Sequence, residues 1–523
     1  MKNDIKWSLI LFSVGVFMAA LDNGIITSSL TTLISSFAVS QTWGAWTITV
    51  YTLGLAISVP IVGKLSDRYG RRSLFLCEVA LFGIGSLLVA LSPNFSFFLA
   101  ARFLQAMGGG GIFIIASSYV LNTVPQERQG RALGMLGGMN GIAAILGPNV
   151  GSFILDLTGS WHWLFLINVP VAIILFLVGW KYIHEQQTLQ RTKLDLGGIT
   201  ALSGAMVLLM LTFTKLDGVD LLSGLGSATF LSLIGGSIVL ILALIAIEQR
   251  VHKAGQETVL PLKLMSRSTF RLALLLSFFS GAILASVIFI PGFVEQFLNV
   301  SSAQAGYWFT PLALASGIGA GGGGALVDKK GPIYTLVLAS VLAIVGFLLF
   351  PLWVDSGWQM IIASCLVGLG FGIMLGAPIN VLVSEHAGDN KGISLATSSL
   401  FRQMGMTLAP TIYAGFLARA FSDFGTQVKD NLEAANISGV DQMMSHMPKS
   451  TDATSIKEGI AQIPDPQIRE ILQDTLHEAV GNGFNGLYLA SMVVSCAMLV
   501  AVVWLGVVRS KRSKDLPAQP SNS

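Results

Sequence analysis

Charge is scarce in this chain. Only 11% of its 523 residues are Asp, Glu, Lys or Arg, while 53% are hydrophobic; soluble domains carry roughly 25% charged residues. A soluble globular class is therefore excluded. Cysteine is scarcer still. Cys77, Cys365 and Cys496 stand singly, with no CxxC spacing, which excludes a disulfide framework and a zinc cluster. No GxxxxGK[ST] motif occurs anywhere, which argues against direct ATP drive. The six histidines (His162, His184, His252, His386, His446 and His477) fall in predicted loops or interfaces, none beside an acid at metal-ligand spacing. No catalytic residues, no metal and no cofactor are expected, and the chain does not read as an enzyme.

Long apolar runs are abundant. Segments of about 20 residues, enough to cross a hydrocarbon core, recur along the length. Fourteen spans are expected, starting near Trp7, Trp43, Ser73, Phe97, Gly130, Trp163, Leu196, Gly226, Phe270, Ala303, Pro332, Gln359, Gly392 and Phe484. The fold class is all-α and polytopic. Six residues precede the first span and no small-residue cleavage site follows it, so it reads as a retained helix.

The basic residues set the expected orientation. Of 31 Lys and Arg, Arg102 and Arg402 fall inside spans. Six more (Lys215, Arg419, Lys429, Lys449, Lys457 and Arg469) lie in alternate loops, five of them in one long loop that translocates regardless of charge. The rest lie on the other side, which places both termini in the cytoplasm of a multi-pass cell (plasma) membrane protein. The net charge of +3 then reports topology, and no nucleic-acid partner is expected.

An eight-residue pattern occurs twice. Gly63-x-Leu65-x-Asp67-Arg68-x-Gly70 returns as Gly324-x-Leu326-x-Asp328-Lys329-x-Gly331, 261 residues later. Leu104-x3-Gly108-x-Gly110 returns as Leu366-x3-Gly370-x-Gly372, and Pro148 as Pro410, both at 262. A nearly constant offset means two related halves in the same order, with a substrate site between them. The expected domains are a six-helix bundle over 1–184, two inserted transmembrane helices and a cytoplasmic linker over 185–264, a second bundle over 265–510 and a tail over 511–523. The inserted pair lies outside the repeat and is expected to be peripheral. The polar segment 420–482 lies outside; apolar positions at 468, 471, 472, 476, 479 and 480 suit a helical hairpin, and a mobile loop is the other reading.

Three ionisable groups are expected well within spans: Asp22, Arg102 and Arg402. Even permissive scales put such a charge at about 2.5–3.5 kcal/mol, so each is a functional candidate. Asp22 is about fifteen residues, or ~22 Å, from the inner end of its helix, and Arg102 reaches a similar depth from outside. A carboxylate facing a guanidinium forms a pair whose separation would let the acid take up a proton. A static structural pair is the alternative. The repeat weighs against it, because the equivalent positions are Leu284 and Ser364. Arg402 matches Asn140 in the first half, a separate cationic feature that either lines the cavity or bonds backbone carbonyls.

Gly63, Asp67, Arg68, Gly70 and Arg71 form a short cytoplasmic loop that can latch onto a helix terminus or onto Glu127. Gly147-Pro148-x-x-Gly151 interrupts the fifth span, either as a packing kink or as part of the pathway. The glycine runs at 108–111 and 321–324 read as close-packing surfaces.

Together these motifs resemble the major facilitator superfamily, and the span count resembles its fourteen-helix drug:proton antiporter family. GKLSDRYGRR at 63–72 resembles the gating loop, with Asp67 and Arg71 as its charge relay. Leu21-Asp22 resembles the first-helix acidic motif, and Arg102-Phe-Leu-Gln-Ala-Met-Gly108 the fourth-helix motif whose arginine is implicated in proton transfer. Gly147-Pro-x-x-Gly151 resembles the antiporter motif, with Ser152 where a second glycine is usual. Trp161 to Pro170 and Arg402-Gln403 match as well. No proline follows Asp22, where Asn23-Gly24 stand, and residues 303–326 lack the second acid of members that export divalent organic cations, which disfavours strongly cationic cargo. The resemblance implies a proton-coupled multidrug efflux antiporter working by alternating access. Its partners would be a small amphipathic substrate, protons and membrane lipids, and its state a monomer. A dedicated exporter of a lipid, amino acid or peptide is the alternative, and a non-transporting receptor or scaffold the alternative of another class. Asn23, Tyr51, Gln105, Asn140, Trp308, Asn380 and Arg402 are the expected cavity residues.

Overall fold

Lipid offers no partner for a backbone N–H or C=O, so a spanning segment has to satisfy both within itself, as a helix does. The computed structural model describes residues 2–39, 41–44, 46–184, 195–214, 221–253, 262–300, 306–385, 387–388, 391–435, 437, 453–463 and 465–514, and their regular structure is helical throughout. Eleven helices are long and apolar enough to cross a membrane, and a twelfth counts if Gln126–Ala144 and Leu146–Thr158, bent by 44°, form one span. Two more segments are compatible with the expected fourteen: the shorter apolar helix Gly197–Phe213, and Lys391–Ala434, whose apolar character Arg402 and Gln403 dilute.

In the first half the principal helices are α1 (Lys2–Ser36), α2 (Trp46–Tyr69), α3 (Arg71–Ala90), α4 (Phe95–Gly109), α5 (Ile112–Thr123), α6 (Gln126–Thr158) and α7 (Asn168–Tyr182). The inserted pair is α8 (Leu196–Thr214) and α9 (Ala228–Lys253). The second half holds α10 (Ser268–Val287), α11 (Thr310–Lys330), α12 (Pro332–Trp353), α13 (Gly357–Gly376), α14 (Pro378–Ser384), α15 (Lys391–Ala434), α16 (Ala453–Ala461) and α17 (Pro466–Lys514). Each half buries its own apolar core, the first around Phe12, Phe75, Phe82 and Phe98 and the second around Phe293, Phe347 and Phe350. Leu157, Leu177, Trp180, Val500 and Trp504 remain exposed, as a surface solvated by acyl chains requires.

The repeat is visible in the packing. Across the seam, α6 lies on α11 and α2 on α15, so equivalent helices of the two halves exchange roles. The equivalent glycines Gly70 and Gly331 both take left-handed φ, 88° and 83°, to turn one span into the next.

The inserted helices differ from expectation in one respect. α9 is mostly exposed, but α8 is not peripheral: it packs on α2 and α15, with Thr411 Oγ1 donating to the Phe213 carbonyl at 3.3 Å. It fills the groove where the halves meet. At the opposite end from the duplicated loops, α15 continues to Ala434 and α17 begins at Pro466. Val428, Leu432, Ile456, Ile460, Leu472 and Leu476 bury one another, and Asn431 donates to Thr475 at 2.8 Å. Pro464, just before α17, lies outside the described residues.

Candidate functional site

Asp22 sits on α1, and helices from three other parts of the first half bring polar groups to it. Arg102 and Gln105 share a face of α4, one turn apart. The Arg102 Nη1 donates to Asp22 Oδ2 at 2.5 Å and to Gln105 Oε1 at 2.5 Å. Gln105 Nε2 donates to Asp22 Oδ1 at 2.9 Å and to Ser86 Oγ on α3 at 2.7 Å. Asn168, the first residue of α7, donates to Asp22 Oδ1 at 2.9 Å. The carboxylate therefore accepts three hydrogen bonds. Both members of the ion pair have 0% side-chain exposure.

The guanidinium is clamped between rings, 4.0 Å from the Tyr51 centroid and 5.3 Å from that of Phe165. Its Nε and Nη2 have no hydrogen-bond partner among the described residues. Burying such a pair gains little, because desolvation offsets the attraction, whereas stranding one member costs about 3–5 kcal/mol. The arrangement is a poor device for stability and a sensitive one for sensing charge.

Tyr51 separates this network from open space. Its side chain lines a central cavity of about 170 Å³ together with Asn23, Asn140, Ser399, Arg402 and Gln403. A second cavity of about 350 Å³ shares Asn23, Leu55, Gln403 and Met406 with it. This one runs toward the helix ends where Ile48, Met210 and Ile288 line it. The structure thus brings Asn23, Tyr51, Asn140 and Arg402 together. Gln105 belongs to the buried network instead. Trp308 stands in a 3₁₀ turn before α11 and lines a separate outer pocket with Asp355 and His477. Asn380 is buried on α14, away from both cavities. Arg402 stacks over Phe113 at 5.5 Å and makes no ion pair among the described residues.

At the helix ends that carry the duplicated glycine loops the halves are pressed together. A Cβ on Gly63 would strike Ala396, and one on Gly324 would strike the Gly130 carbonyl. Asp328 accepts the Gly130 amide at 2.7 Å and the Arg131 amide at 3.1 Å, placing a carboxylate on the positive end of α6. Lys391 Nζ donates to the Leu121 carbonyl at 2.7 Å. In the first-half loop, Arg71 Nε donates to Ser118 at 3.0 Å and Arg72 to the Trp180 carbonyl at 2.6 Å. Arg68 stacks on Tyr69 at 5.0 Å, and Glu127 is exposed in the first turn of α6. The Asp67 side chain lies outside the described residues. Pro148 is at the bend of α6, where Gly147 meets Gly24 of α1, and Gly151 is buried one turn on.

Three participants escaped the sequence reading. Ser86 and Asn168 are polar residues within apolar spans, which was the available signal. Glu78 is a fourth intramembrane ionisable group; it is 5% exposed on α3 and accepts the Gly111 amide at 3.0 Å, where α4 gives way to α5.

A family model described as Major Facilitator Superfamily matches residues 12–410. The MFS-type transporter YfiU of Bacillus subtilis (strain 168) is 52% identical over 97% of this chain and 98% of its own. Multidrug resistance protein 3 of the same organism is 27% identical over 98% and 97%. Among solved structures, the human organic anion transporter MFSD10 superposes with a TM-score of 0.60 at 14% identity, covering 94% of this chain and 99% of its own. At that identity the likeness concerns the fold alone.

Proposed function

The chain belongs to the Major Facilitator Superfamily, and from that premise we propose that it is a proton-coupled exporter of amphipathic compounds in the plasma membrane, working by alternating access. The observation that carries the reading is the Asp22–Arg102 pair, fully buried and one aromatic ring away from the cavity. Relatives named for multidrug resistance and efflux support the export direction.

In this reading the described conformation is closed at the inner face, with the cavities continuing outward. Protonation of Asp22 releases Arg102, whose unpartnered Nε and Nη2 then seek acceptors. Loss of the pair loosens α1 and α4 and biases the halves to separate at the inner latch. Cargo enters from the inner side, the proton leaves Asp22 there, and the pair reforms as the outer side opens. A proton moving inward down 100 mV supplies about 2.3 kcal/mol, a gradient of roughly fortyfold per proton.

Asp22→Asn tests the proposal. In proteoliposomes with an imposed pH gradient, efflux across a panel of fluorescent amphipaths should lose its dependence on that gradient, with the protein still folded. Undiminished coupled efflux rejects it. A single narrow cargo would favour a dedicated exporter, and no flux of any compound a receptor.

A further inference from the structure

We infer that the cargo is an anionic amphipath whose acid group is held by Arg402; this rests on the transport reading above and specifies its substrate class. The central cavity lies on the pseudo-twofold axis, because the equivalent positions Asn140 and Arg402 both line it. Only one of the two carries charge. An arginine does not deprotonate in a protein, so the cavity holds a permanent cation. Its described environment gives that cation an aromatic face, Phe113 at 5.5 Å, and no ion pair.

Among the described residues no Asp or Glu lines either cavity. The buried acids of the first half are committed elsewhere: Asp22 to Arg102, Gln105 and Asn168, and Glu78 to the Gly111 amide. An uncompensated cation next to apolar walls is costly, and a bound anion removes that cost. The planar guanidinium suits a carboxylate, sulfonate or phosphate monoester. Asn23, Asn140 and Gln403 stand ready as further donors.

The shape agrees with the charge. A small, largely apolar chamber with its polar groups gathered at Arg402, Asn23, Asn140 and Gln403 adjoins a larger one walled by Ile48, Met210, Ile288 and Met406, and the two together fall within the roughly 300–1,000 Å³ of ligand clefts. The acid group sits inward at Arg402 and the apolar tail points outward. Exchanging an outgoing anion for an incoming proton moves positive charge inward on both legs, so membrane potential drives both. A cationic cargo would cancel that gain.

The test is a binding series on the purified full chain in lipid nanodiscs. The probes are dansylamino-undecanoate, its neutral methyl ester and the matched trimethylammonium analogue, read by dansyl fluorescence. The wild type should bind the carboxylate at least about tenfold more tightly than the ester, and the cation most weakly. Arg402→Gln removes a charge-assisted contact, and carboxylate affinity should fall roughly ten- to hundredfold, with Arg402→Lys restoring most of it. A wild type that binds the cation as well as the carboxylate overturns the inference, as does an unchanged preference in Arg402→Gln. If Arg402→Gln fails to fold, the wild-type series and Arg402→Lys still decide. The readout is binding, so an Asp22→Asn result against proton coupling leaves it standing, and a cationic preference sinks it while leaving coupling intact.

Discussion

Gly24 and Gly147 cross with nothing between them: a Cβ built on Gly24 would lie 2.6 Å from the Ala144 carbonyl and 2.9 Å from the Gly147 Cα. The crossing seats α1 on α6 at the Pro148 bend, two residues beyond Asp22. Gly24→Val should therefore act twice, costing about 1–3 kcal/mol through overpacking and displacing the carboxylate from its donors. Thermal unfolding in detergent and gradient-driven efflux should both fall, with Gly24→Ala milder. Wild-type values in both assays would remove any role for this contact.

The buried pair makes a prediction about additivity. Arg102→Gln alone strands a carboxylate and should destabilise by about 3–5 kcal/mol. Adding Asp22→Asn removes the stranded charge, so the double variant should be more stable than Arg102→Gln. Transport coupling should stay lost in both. A double variant that simply sums the two losses would mean the residues are not coupled.

Asp328 should hold the inner face shut. Asp328→Ala removes the carboxylate that accepts the Gly130 and Arg131 amides of α6, a loss of about 1.5–3 kcal/mol for hydrogen bonds to a charged group. Spin labels at the exposed positions Arg128 and Lys330 should then show a larger population of long distances. An unchanged distance distribution would mean that the apolar seam alone keeps the halves together.

Glu78 separates an acceptor role from a charge role. Glu78→Gln keeps an oxygen for the Gly111 amide and should leave thermal stability near wild type. Glu78→Leu leaves that buried N–H unmet and should cost about 1–3 kcal/mol. Equal stability in the two variants would show that the hydrogen bond contributes nothing.

The two-repeat, all-helical fold was readable because lipid forces long helices and because the duplicated loop kept its glycines, Gly70 and Gly331. Asp22 and Arg102 were readable as intramembrane charges. Which way each helix turns was not. In a span apolar all round, lipid-facing and protein-facing positions use the same residues, so Gln105 passed for a cavity residue although it faces Asp22. Trp308 passed for one too, although its turn at the very end of the span lines a separate pocket. The same ambiguity hid α8, whose Met210 reads as lipid-facing and instead lines the outer cavity. Asn168 lies 146 residues from its partner, and only the packed bundle brings them together.

Lys391 and Ala434 end a single helix of 44 residues, roughly 66 Å at the α-helical rise. It starts beside the Lys391–Leu121 contact, passes Arg402 about a quarter of the way along and finishes in the hairpin with α17. With Pro410 its one interior proline, such a helix would couple tilt at the seam to an opposite displacement at its far end, to the extent that the proline does not absorb it. The hairpin is then a place where an applied clamp would arrest the cycle without touching the cargo path.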